Sequence, residues 1–189
     1  MNVRDAGLNG LLVFEPQVFR DDRGWFRETW REPLYRQAGI RERFVQDNLS
    51  LSRRGVLRGL HFQHPYGQGK LVSVVKGEVF DVAVDLRVGS PTFAQWRGIV
   101  LSEENGLQLY IPAGFAHGFM VTSDDALFLY KCTELYRSDA DRNIAWNDPR
   151  LDITWPEIEP ILSPRDHAAP TLAEIDPASL PQLSWPSIS

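Results

Sequence analysis

A chain of 189 residues is the length of about one domain, and 43% apolar with 24% charged residues is ordinary globular composition. Disordered, collagen-like and coiled-coil chains are excluded. The formal charge of −5 argues against a protein that grips nucleic acid by a broad basic face, although a local group of Arg and Lys still suits one compact anion. Cys132 is the single cysteine, so no intrachain disulfide, four-thiolate zinc site or iron–sulfur cluster can be built from one chain. A reducing compartment fits. The segment Met1 to Gly7 lacks an apolar leader core, and no run of about 18 apolar residues is long enough to cross a bilayer. The expectation is a cytoplasmic protein with neither a membrane nor a nucleic-acid partner.

In chain order, the first local signal is helical: Pro33 suits a first helical position, Leu34, Tyr35 and Ala38 line one face, and Gly39 stops the segment. Strand signals then dominate. After Leu57–Gln63 come Leu71–Val75, Val79–Leu86, Arg97–Leu101, Leu107–Ile111, Phe119–Thr122 and Ala126–Cys132, divided by turn clusters such as Lys76-Gly77-Glu78 and Glu104-Asn105-Gly106. In Val79–Leu86 the even positions are apolar and two of the odd ones are Asp, which predicts a strand with one dry face. Strands at intervals of about ten residues predict a sandwich or barrel. After Trp155 the chain is rich in proline, from Pro156 to Pro186, and reads as an extended segment (156–189) packed over a core of about 10–155 within one domain, 1–189.

Three of the four histidines, His61, His64 and His117, lie in Gly-flanked or strand-edge segments. Strand parity puts Arg58 and His61 on opposite faces unless a bulge near Gly59 intervenes. A lone strand histidine is either a hydrogen-bonded structural residue or a pocket group. Pro112-Ala113-Gly114-Phe115-Ala116-His117 resembles the second signature of the cupin superfamily, whose Pro and Gly set a turn that aims the His inward. Metal-binding cupins add ligands from a His-x-His segment followed by Glu, since a transition ion wants several imidazole and carboxylate donors. Here that place reads His61-Phe62-Gln63, with Gly67 or Gln68 for the Glu, so no metal is expected. Lys70 stands at a strand entrance, either solvated or turned inward. Tyr130 shares parity with Phe128 and Cys132 and is either a core tyrosine or a hydroxyl aimed at the interior.

These residues sit in strings that together resemble one family. Phe19-Arg20-Asp21-Asp22-Arg23-Gly24-Trp25-Phe26-Arg27-Glu28, Gln46-Asp47-Asn48, Gly55 to Gln63, Gln68 to Val72, Asp81 to Arg87, Ser90-Pro91-Thr92-Phe93, Ile111 to Phe119, Trp146 to Pro149 and Leu162 to Asp166 occur in the order seen in dTDP-4-dehydrorhamnose 3,5-epimerases. The resemblance runs from about residue 10 to 170. It implies a mainly β fold, a double-sheet jelly-roll (cupin-like) barrel with a few short helices, and a cofactor-independent isomerase acting on a dTDP-4-keto-6-deoxyhexose. Inverting the two carbons that flank a ketone needs a base, an acid on the other face, and positive charge at the oxygen that carries the enolate.

By resemblance His61 is the base, Asp166 orients it, Tyr130 is the acid and Lys70 favours the enolate. His117 reaches the sugar and Arg58 meets the diphosphate. Arg23, Phe26, Glu28, Gln46, Asp47, Asn48, Asp141 and Arg165 complete the nucleotide site, with Tyr136 stacking on thymine. The segment from Arg23 to Glu28 crosses to a neighbouring subunit in this family, which implies a homodimer. Three alternatives are weighed against this reading: a monofunctional 3- or 5-epimerase, a metal-dependent cupin enzyme, and a noncatalytic sugar-nucleotide binding module. The chain departs from the usual strings at Ala94 and in the loop His64-Pro65-Tyr66-Gly67, while His64 and His167 read as surface residues.

Overall fold

Alternating short strands with little helix can bury their apolar faces only by stacking sheets, and the chain does so. The computed structural model describes residues 1–183, so Pro186 and the end of the Pro-rich segment lie outside the described residues. In chain order the strands are β1 (Asn2–Asp5), β2 (Leu12–Glu15), β3 (Val18–Asp21), β4 (Gly24–Arg27), β5 (Gln46–Arg53), β6 (Leu57–Gln63), β7 (Lys70–Lys76), β8 (Glu78–Asp85), β9 (Trp96–Ser102), β10 (Gln108–Ile111), β11 (Phe115–Val121), β12 (Asp125–Cys132) and β13 (Asp141–Asn143). The helices are α1 (Glu32–Gln37) and α2 (Pro164–His167), followed by 3-10 turns at Leu172–Glu174 and Pro177–Ser179. One sheet, here sheet I, has the order β1-β2-β10-β7-β12-β5; sheet II has β13-β6-β11-β8-β9; β3 and β4 form a separate hairpin. The pairings within them are antiparallel. This is the double-sheet jelly roll with few short helices.

Between the sheets lies an apolar core of Val13, Val72, Val74 and Leu109 against Val79, Ala83, Leu101, Phe115 and Phe119. The outer face of sheet II is covered as well. Leu60, Phe62, Val82, Val84 and Leu86 pack there against Ile144, Leu151, Leu172 and Leu180 from the chain beyond β13. Each fully buried Leu contributes about 1.5–3 kcal/mol, so this covering layer is part of the fold rather than an appendage. Helix α1 begins at Glu32, one residue before the expected Pro33, which takes its second position, and is closed by Gly39 at φ +106. Its buried Tyr35 stacks on Phe14, ring centroids 4.7 Å apart.

Two expectations are corrected. Val79–Leu86 is not a strand with one wet face: Asp81 and Asp85 are 0% exposed, because the tail covers one side of sheet II while sheet I covers the other. Asp85 is held by Arg87, Ser90 and Thr92. The strand expected from Phe119 begins earlier, at Phe115, directly after the Pro112–Gly114 turn, which puts His117 within β11.

Candidate active site

A cavity of about 420 Å³ opens between the two sheets. Sheet I supplies Gln46, Asn48 and Ser50 from β5, Lys70 from β7 and Tyr130 from β12; sheet II supplies Arg58 and His61 from β6 and His117 from β11. Arg58 and His61 share this cavity despite their opposite parity because the β6–β11 register slips. His117 faces His61 and Phe119 faces Arg58, so one residue of β11 opposes two of β6. The slip needs two bare backbones: Gly59 has φ +139, and a Cβ there would meet Gly118 Cα at 2.5 Å.

His61 Nε2 lies 2.5 Å from Asp166 Oδ1. Asp166 is 4% exposed and sits on α2, whose N-cap Ser163 accepts from the Asp166 amide and donates its hydroxyl to Asp166 Oδ2 at 2.9 Å. The helix is delivered to this place by a strand-like bridge in which Leu57 donates to Ile161 and Ile161 donates to Gly55. Burial acts to raise the Asp166 carboxyl, but the hydrogen bond and charge of His61, with Ser163, outweigh it and hold the group below the usual carboxylate range. An ionised carboxylate on Nε2–H leaves the imidazole lone pair on Nδ1.

A second pair lies deeper. His117 Nε2 is 2.9 Å from Asp81 Oδ2, and both residues are buried. Burial pushes the His117 ring down; Asp81 pulls it up, and the charges of Lys70 and His61 add to the downward push. On the facing sheet, burial lowers the Lys70 ammonium against the charges of Cys132, Asp141 and Asp81. Burial also raises the Tyr130 phenol, reinforced by Cys132 and opposed by Arg58, so that it keeps its proton at neutral pH. At the rim, the hydroxyl of Tyr136 donates to Asp141 Oδ2 at 3.1 Å, and Arg165 pairs with the same oxygen. Arg58 Nε donates to Ser52 at 3.1 Å.

The family model described as dTDP-4-dehydrorhamnose 3,5-epimerase matches residues 5–174. The chain is 54% identical over 178 residues to the dTDP-4-dehydrorhamnose 3,5-epimerase of Pseudomonas aeruginosa, covering 93% of this chain and 98% of that protein. The chain belongs to the dTDP-4-dehydrorhamnose 3,5-epimerase family. Its fold matches the crystal structure of a Legionella pneumophila dTDP-6-deoxy-D-glucose-3,5-epimerase in complex with dTDP-4-keto-L-rhamnose, with a TM-score of 0.95, 50% identity and coverage of 97% and 99% of the two chains. A dTDP-4-dehydrorhamnose 3-epimerase from Streptomyces niveus is 41% identical over 95% of this chain and 88% of its own.

Among the epimerase residues read from the sequence, the cavity gathers Gln46, Asn48, Arg58, His61, Lys70, His117, Tyr130, Tyr136, Asp141 and Arg165, with Asp166 directly behind His61. Asp47 points the other way, as its odd position on β5 dictates, and pairs with Lys131 on the surface. Arg23 and Phe26 lie on the β3–β4 hairpin beside a separate surface groove, and Glu28 pairs with Arg31. Sequence reasoning missed Asp81, Ser50, Ser52 and Ser163. The polar series Gln46, Asn48, Ser50 and Ser52 was the available signal, for it marks one face of β5 turned to a wet interior. Among the described residues no group of three or more His, Cys, Asp or Glu is placed to hold a metal ion. Of the metal-binding cupin pattern the chain keeps histidine at His61 and His117, while an amide, Gln63, occupies the third place of the His-x-His segment.

Proposed function

We propose that the chain is an isomerase that converts dTDP-4-dehydro-6-deoxy-D-glucose to dTDP-4-dehydro-L-rhamnose, in dTDP-L-rhamnose biosynthesis. One observation carries the reading: His61 on sheet II, backed by Asp166 from α2, faces a protonated phenol and an ammonium on sheet I across a single cavity. A C–H bond next to a ketone is acidic because its electron pair can move onto the carbonyl oxygen. His61 Nδ1 takes that proton, and the pair becomes an enolate stabilised by the Lys70 charge. Tyr130 returns a proton from the other sheet, hence to the opposite face of the ring. The imidazolium and the tyrosinate then re-equilibrate with solvent, so the cycle closes without a redox partner. Repeating the cycle at the second flanking carbon completes the double inversion.

Arg58 suits the diphosphate, its guanidinium fork aimed by Ser52. Tyr136 offers a ring for the thymine, and Asp141 and Arg165 border it. Arg23, Phe26 and Glu28 serve a neighbouring subunit in a homodimer. The hairpin that carries Arg23 and Phe26 leaves Phe19, Trp25 and Phe26 exposed, Leu49 and Leu51 on β5 are uncovered as well, and such apolar residues suit a partner chain. The buried free Cys132 suits a reducing cytoplasm.

Incubating the sugar nucleotide in heavy water and reading the product by NMR tests the activity. The expected result is deuterium at both carbons beside the ketone, abolished by His61→Asn. Deuterium at one carbon assigns the chain to monofunctional epimerases, a reading that the 41% identity to a 3-epimerase keeps in view.

A further inference from the structure

We propose that Gln63 is a positioning residue that sets the Tyr136 ring before the nucleotide arrives, and so determines nucleotide affinity. The inference rests on the reading of Tyr136 as the thymine platform.

Gln63 closes β6, two residues after His61, and is 5% exposed. Its amide makes three hydrogen bonds, all to backbone. Nε2 donates to Tyr66 O at 2.6 Å and to Leu135 O at 3.2 Å, while Oε1 accepts from the Arg137 amide at 2.8 Å. Both amide hydrogens are used, and a flipped amide would set Oε1 against two carbonyl oxygens, so a single orientation satisfies the site.

Leu135 and Arg137 flank Tyr136, so one buried side chain holds the backbone on both sides of the ring-bearing residue. The amide of Tyr136 itself donates to Gln46 Oε1 at 2.9 Å. Tyr136 is 56% exposed, so apart from the bond of its hydroxyl to Asp141 side-chain packing does little to fix the ring. The same amide also ties down the loop 64–67, one of the places where the chain departs from the usual family strings, and there the Arg137 guanidinium lies 4.1 Å from the Tyr66 ring centroid. Two loops and the aromatic ring between them are thus joined through Gln63. An exposed platform that is ordered in advance spares the nucleotide the entropy of ordering it.

The test uses dTDP as probe in titration calorimetry, with steady-state kinetics on the full substrate. Gln63→Leu removes all three bonds; Gln63→Glu keeps the shape but turns the donor of two bonds into an oxygen, and it carries the test if the Leu variant does not fold. The expected result is dTDP binding weakened about tenfold and KM raised to match, with kcat changed less than about twofold. Beside Tyr136→Ala, the same substitutions should change dTDP affinity less than about twofold, since the group they act through is gone. A Gln63 effect undiminished in that background overturns the inference, as does unchanged affinity, or a loss confined to kcat, which would place Gln63 behind His61. Tyr136→Ala with unaltered dTDP affinity defeats the platform reading itself.

Discussion

Two histidines of sheet II each pair with a carboxylate, and the two pairs, made of the same chemical groups, are built in different ways. His61 on β6 meets Asp166 from a short helix 105 residues further on, and its side chain is 31% exposed to the cavity. His117 on β11 meets Asp81 from the adjacent strand β8, inside the sheet. In the outer pair each Asp166 oxygen has a protein partner, His61 and Ser163. In the inner pair Asp81 Oδ1 has none among the described residues. A histidine that must gain and lose protons needs a solvent path and a fully satisfied orienting carboxylate, and the outer pair has both. The inner ring is held neutral by burial and suits a fixed polar contact. Accessibility and satisfaction, rather than residue type, separate the proposed base from its neighbour.

The sharpest way to break this contrast is to compare activities. Asp166→Asn should lower kcat about 10³-fold, since it leaves His61 in place but removes the charge that stabilises its imidazolium. Loss of a hydrogen-bonding contact in His117→Asn should cost only about 10–100-fold. Equal losses measured in initial-rate assays would erase the distinction. Stability should rank the other way. Asp81→Ala strands a buried imidazole N–H and is expected to cost about 3 kcal/mol in urea unfolding, whereas Asp166→Ala, beside the open cavity, should cost about 1 kcal/mol.

Smaller effects follow from pH. The His117 ring titrates below its ordinary value of about 6.5. In the window beneath 6.5 the unfolded chain takes up a proton that the folded chain refuses, so this contribution to stability falls as pH falls. His117→Asn should flatten that part of the pH–stability curve between pH 6.5 and 5, read from denaturant midpoints. For Asp166 the carboxyl is held low in the folded chain, so its contribution is present above about pH 3.9 and is lost as pH drops through the folded value. The stability gap between wild type and Asp166→Asn should persist at pH 5 and narrow as pH falls below about 3.9.

Much of sheet II and the inner part of sheet I was legible in the alternation from Leu71 to Cys132, and α1 in its Pro33 and Gly39. Asp81 and Asp85 were misread because alternation reports residue type, and a carboxylate turned into a polar cavity has the same period as one turned to water. The β6 slip was legible only as a need: the parity of Arg58 and His61 demanded it, but Gly118, which makes it possible, lies on another strand. β5 is inverted, with Leu49 and Leu51 exposed while Ser50 and Ser52 face inward, so a rule that sends leucine inside fails there. Asp166 could be assigned only by resemblance, because a four-residue helix carries no periodic signal.

Chain order has a last consequence. The last strand among the described residues ends at Asn143, whereas the carboxylate paired with His61 comes at Asp166, and Leu172 and Leu180 help seal the back of the sheet after that. A polypeptide still being synthesised, with its barrel strands already emerged from the ribosome, holds its imidazole without an orienting carboxylate. The outer histidine pair is therefore completed only after the barrel strands have formed, once the wrap has docked.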